Sequence, residues 1–81
     1  MITYEQAVKS FKKAYPKRHI MNAADFDNTK YIVHAQERTN EEDNGDPLFY
    51  IDKKTGSVTQ FGSTLDEVDK MNEAFSKRRI K

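Results

Sequence analysis

The 81-residue chain carries 13 carboxylates, 14 lysines and arginines, two histidines and no cysteine. Without a thiol it has no disulfide, no thiolate zinc site and no cysteine nucleophile. His19 and His34 stand in two segments that read as strands. A catalytic or metal-binding pair of histidines needs converging carboxylates or a nucleophile with a defined orienting partner. The residues around them supply neither, so both read as ordinary strand histidines. The run Asn40-Glu41-Glu42-Asp43-Asn44-Gly45-Asp46 invites comparison with a calcium loop. Aligning Gly45 with the turn glycine puts Asn40, Glu42 and Asn44 at ligand positions, but the closing bidentate carboxylate then falls on Ile51, which cannot coordinate. Asp25-Phe26-Asp27-Asn28 fails in the same way, with Lys30 where the glycine belongs. Gly62-Ser63-Thr64 opens a helix and so offers N–H groups to an anion. It lacks the lysine and glycine spacing of a phosphate loop, and helix capping is its ordinary use. No Gly-x-Ser-x-Gly, His-Glu-x-x-His or dinucleotide fingerprint is present. The expectation is a protein that is not an enzyme, with no catalytic residues, cofactor or metal.

Net charge is +1, which favours neither nucleic acid nor acidic substrates in bulk. Its distribution is uneven. Residues 1–40 hold seven basic and four acidic groups, residues 41–63 two and five, and residues 64–81 five and four. The middle is acidic and the ends are mildly basic. Lys77-Arg78-Arg79-Ile80-Lys81 reads as a basic helix end or a frayed tail over residues 77–81. No RNA-recognition aromatic motif or zinc-finger spacing accompanies it, so nucleic acid is not the expected partner. The N-terminus lacks the charged and apolar regions of a signal peptide, and no stretch approaches membrane-spanning length. A cytoplasmic protein without membrane contact is the expectation.

These residues need a scaffold, and 81 residues make one small domain, 1–81, with a thin core. A helix is predicted over residues 4–15. Thr3 and Gln6 form a capping box, and Tyr4, Ala7, Val8, Phe11, Ala14 and Tyr15 recur at helical spacing. Pro16 ends it. Residues 18–24 read as a strand, 25–29 as a turn and 31–37 as a second strand rich in β-formers. The polar, acidic stretch 39–46 reads as an exposed loop. Residues 48–51 and 57–61 read as a hairpin around Asp52-Lys53-Lys54-Thr55-Gly56, in which Gly56 takes a positive φ. Thr64 with Glu67 repeats the capping pattern, opening a second helix with Leu65, Val68, Met71 and Phe75, and as an optional member Ala74, on its apolar face. The fold class is α+β: a helix, a four-stranded antiparallel meander and a C-terminal helix. The expected core comprises Tyr4, Val8, Phe11, Ile32 or Val33, Phe49, Ile51, Val58, Leu65, Val68, Met71 and Phe75.

Register decides which side chains are available to a partner. A four-residue loop, 53–56, pairs Asp52 with Ser57 and puts Phe49, Ile51 and Val58 on one face. Leu48, Tyr50, Thr59 and Phe61 then share the other. Burial of both faces, under the helices or the N-terminal segment, is the ordinary outcome for a small monomer. If the second face stays open, Leu48, Tyr50 and Phe61 form the candidate partner surface. Tyr50 is then the anchor, with Glu42, Asp43 and Asp46 steering a basic partner.

Two resemblances follow from these elements. Residues 2–61 resemble the PepSY-type domain of protease propeptides and stand-alone modules. Its opening helix is like Ile2-Thr3-Tyr4-Glu5-Gln6-Ala7-Val8, and its closing strand and turn are like Tyr50-Ile51-Asp52-Lys53-Lys54-Thr55-Gly56-Ser57-Val58. The chain is also similar to small immunity proteins of bacterial polymorphic toxin systems. Pro47, Asp52, Thr55, Gly56, Val58, Gly62, Ser63 and the helix from Leu65 follow that order. Both resemblances imply a non-catalytic module that binds or inhibits another protein. The alternative expectation is a small phage or prophage accessory protein, or a nucleic-acid-binding regulator using the basic ends.

Overall fold

The computed structural model describes residues 1–36 and 48–81. Its elements are α1 (Tyr4–Ala14), β1 (His19–Asp25), β2 (Lys30–Gln36), β3 (Leu48–Asp52), β4 (Val58–Gln60) and α2 (Leu65–Lys77). The sheet is an antiparallel meander in the order β1-β2-β3-β4, with one helix packed on each face. The α+β class is therefore as expected. Among the described residues, no helix is long and apolar enough to cross a membrane.

The capping box of α1 is complete. Thr3 Oγ1 accepts from Gln6 N, and Gln6 Oε1 accepts from Thr3 N. The helix buries Ala7 and Phe11 against Ile20, Val33, Phe49 and Ile51. Phe11 and Phe49 meet edge to face at 5.4 Å between ring centroids, a geometry that adds to the area buried.

The hairpin has the four-residue loop. Asp52 N donates to Ser57 O, Ile51 pairs with Val58, and Gly56 has φ +80°. Asp52 Oδ1 accepts from the N–H groups of Lys54 and Thr55, which closes the turn.

Residues 18–24 were the least regular strand pattern, and the reason is a register shift between Ile20 and Asn22. The shift leaves Met21 exposed and puts Ile20 and Ala23 on the α1 face, three positions apart. An inserted residue breaks the two-residue alternation that marks a strand.

Leu65 is a correction to the expected core, being 85% exposed. The buried side of α2 is centred on Met71 and Ala74, and Leu65 lies about 120° around the helix from Met71 at 3.6 residues per turn. Val68, Met71 and Phe75 pack on the second core, which is built on Ala24, Phe26, Ile32, Tyr50, Phe61 and Ala74.

Residues 77–81, read as a basic helix end or a frayed tail, continue from α2, which ends at Lys77, and run along the outer edge of β1. Ala23 N donates to Lys81 O, Asp25 N to Arg78 O, and Ile80 N to Ala23 O. Arg78 adds side-chain hydrogen bonds to the carbonyls of Asp25 and Phe26. An exposed strand edge invites unwanted pairing, and the tail covers this one.

Candidate functional site

The expected partner face is not open. Tyr50 and Phe61 are only 7% and 8% exposed, and Leu48 is half-buried beside them. They belong to the core beneath α2. The register correctly puts these residues on the face opposite α1, and that face is where the apolar stripe of α2 must be buried. The cover is α2, rather than α1 or the N-terminal segment. Glu42, Asp43 and Asp46 lie outside the described residues.

Where the first turn of α2 meets the sheet, a cleft of about 540 Å³ remains. The rings of Phe26 and Tyr50 line it, 4.9 Å apart and inclined at 63°. The β1–β2 turn contributes Asp27, β2 contributes Lys30, β3 contributes Asp52, and α2 contributes Asp66, Glu67 and Lys70. Four carboxylates thus face two ammonium groups. Lys30 Nζ lies 3.6 Å from Asp27 Oδ2, and 5.1 and 5.4 Å from the ring centroids of Tyr50 and Phe26. This is the arrangement of a cation above aromatic faces.

One residue ties the cleft together. Glu67 Oε2 accepts from the Tyr50 hydroxyl at 2.6 Å and from Gly62 N at 3.0 Å. Glu67 Oε1 accepts from Thr64 Oγ1, which itself accepts from Glu67 N. Thr64 therefore caps α2 as expected, but the Glu67 carboxylate bonds to Gly62 N and Tyr50 as well as to the Thr64 hydroxyl. The Gly62-Ser63-Thr64 segment, considered above as an anion site, already holds the chain's own anion.

Ionisation follows from these contacts. Burial pushes the Tyr50 phenol up, and its hydrogen bond to the Glu67 carboxylate pushes it further. Tyr50 and Thr64 hold Glu67 below the usual carboxylate range. The N–H groups of Thr55 and Lys54 do the same for Asp52. Partial burial raises Asp27, but bonds from Thr29 and the charge of Lys30 outweigh it and leave it low. Near neutral pH the cleft therefore presents carboxylates and a phenol that keeps its proton. It can attract and hydrogen-bond a cationic group.

Sequence reasoning missed Phe26 and Asp27 as site residues. The available signal was Asp27-x-Thr29, an Asx-turn pattern that fixes Asp27 at the strand end. His19 and His34 join no cluster: among the described residues no group of three or more His, Cys, Asp or Glu is placed to hold a metal ion. No family model, curated protein or solved structure matches the chain.

Proposed function

We propose that this domain is a non-catalytic module that binds another protein, and that the cleft between β3, β4 and the start of α2 receives a basic segment of that partner. The observation that carries this reading is the convergence of four carboxylates from three separate elements around an aromatic floor. Carboxylates steer and orient a cationic partner, and the rings of Phe26 and Tyr50, which already carry the chain's own Lys30, give the cleft an apolar floor. Both resemblances, to PepSY-type domains and to immunity proteins, point to the same class of activity. Tyr50 keeps a part in this reading as the floor of the cleft rather than as an exposed anchor.

The test is affinity capture from the native host with wild-type protein, the Asp52→Asn/Asp66→Asn variant, and a Lys13→Gln/Lys17→Gln control at exposed lysines that do not line the cleft, after folding of each is checked. A partner identified with wild type and the control, and lost with the carboxylate variant, supports the reading. Equal recovery by all three places the binding surface elsewhere.

A further inference from the structure

The two basic parts of the chain, far apart in sequence, are brought together by the fold. The tail laid along β1 carries Lys81 back to the side of the sheet covered by α1. There Lys9 and Lys12 of α1 and Lys81 of the tail line a groove of about 490 Å³. Tyr4, Val8 and Ile20 line it too, and Glu5 is the one carboxylate among the lining side chains. All three lysines are exposed, and none belongs to an ion pair among the described residues, whereas Lys30, Lys53 and Arg78 do. Three ammonium groups against one carboxylate leave the groove with net positive charge, which attracts an anion with repeated charges.

We propose that this groove binds a single-stranded nucleic acid, with successive phosphates on Lys9, Lys12 and Lys81 and a base against Tyr4, Val8 and Ile20. Ammonium groups flanking an apolar floor match the two needs of single-strand binding: charge for the backbone and a stacking surface for the bases. A duplex turns its bases inward and has nothing to place on that floor. The groove lies on the face of the sheet opposite the acidic cleft, so both sites can be occupied at once. The sequence argued against nucleic acid on net charge. The fold changes that locally: among the described residues, Glu5 is the one carboxylate that lines the groove with the three lysines.

The experiment is fluorescence anisotropy of a labelled single-stranded oligodeoxythymidylate, with the intact chain, across a salt series. Three phosphate contacts predict a log–log salt slope of about −2, so binding weakens roughly 20-fold between 50 and 200 mM salt. Lys9→Gln/Lys12→Gln/Lys81→Gln should abolish it, and Lys54→Gln/Lys77→Gln, two exposed lysines that line neither site, should leave it unchanged. Tyr4→Leu, checked for folding by its thermal melt, should weaken it about tenfold through lost stacking. Absence of binding at low salt overturns the proposal. So does equal weakening by the two lysine variants. A duplex of the same length that competes better than the single strand, or a Tyr4→Leu variant of full affinity, overturns the single-strand assignment.

Discussion

Replacing Gly56 by alanine tests the hairpin and its packing together. Gly56 has φ +80°, in the left-handed region. A Cβ there would lie 2.6 Å from Ser10 Oγ, 3.3 Å from Ser10 Cβ and 3.6 Å from Ile2 Cδ1. The backbone term costs alanine about 1–2 kcal/mol. Overlap with α1 adds about 1–3 kcal/mol if the neighbours must shift. The stiffer unfolded chain offsets about 0.4–1 kcal/mol. The net expectation is a loss of about 1–4.5 kcal/mol, centred near 3, a large share of the roughly 4–12 kcal/mol available to a domain this small. In a thermal melt followed by circular dichroism this lowers Tm by about 10–20 °C. Ser10→Ala added to Gly56→Ala removes the closest atom but not the strained φ. About 1 kcal/mol should return, leaving the rest. Ser10→Ala alone should be nearly silent. A Gly56→Ala protein within about 0.5 kcal/mol of wild type would refute the turn geometry, since that is the range of an ordinary surface change. Failure of Ser10→Ala to recover anything would refute the contact between the turn and α1.

The remaining predictions concern the cleft and the two cores. Tyr50→Phe removes the donor to Glu67 and should cost about 1–2 kcal/mol in urea denaturation at neutral pH. The folded phenol holds its proton to higher pH than the unfolded one, whose value is near 10. Its contribution is thus complete below pH about 10 and lost as the pH rises beyond it, so wild type should lose stability there more steeply than Tyr50→Phe. The depressed carboxylates of Asp27, Asp52 and Glu67 act in the opposite sense. Their contribution is present above pH about 4 and lost as the pH falls further, which an acid titration of ellipticity will follow. Gly62→Ala would drive a Cβ into the Glu67 carboxylate and open its bonds to Tyr50 and Gly62. The expected loss is about 1–2 kcal/mol, with the Tyr50 phenol titrating at lower pH than in wild type. Phe11→Ala should cost about 3–5 kcal/mol, whereas Leu65→Ser should stay within about 0.5 kcal/mol in the same melts.

Local rules made much of this fold readable. Thr3 and Gln6 announce α1 and Pro16 ends it. Asp52 and Gly56 specify a turn whose loop length sets the register and so separates Phe49 and Ile51 from Tyr50 and Phe61. Non-local geometry was harder to read. The irregular step at Met21 changes which residues of β1 share a face, and no residue type announces it. The tail is held to β1 by backbone pairing and by Arg78 on the carbonyls of Asp25 and Phe26, and a basic run carries no local pattern that announces either. Leu65 has the i,i+3 spacing to Val68 that suggests a buried stripe, but the angle at which α2 meets the sheet selects Met71, Ala74 and Phe75. The cleft was hardest to foresee, because Asp27, Asp52 and Glu67 each have an ordinary local use as a turn or cap acceptor. Only the packing of α2 brings them together around Phe26 and Tyr50.

The central claim is that this cleft receives a basic protein segment, and amide chemical-shift mapping tests it most directly. The isotope-labelled domain is titrated with two extended peptides of equal length, one rich in lysine and arginine and one rich in glutamate. Saturable shifts are expected with the basic peptide alone, centred on Asp27, Lys30, Asp52, Asp66 and Lys70, and weakened in Asp52→Asn/Asp66→Asn. Shifts of equal size with both peptides, or shifts that avoid the cleft, would contradict it.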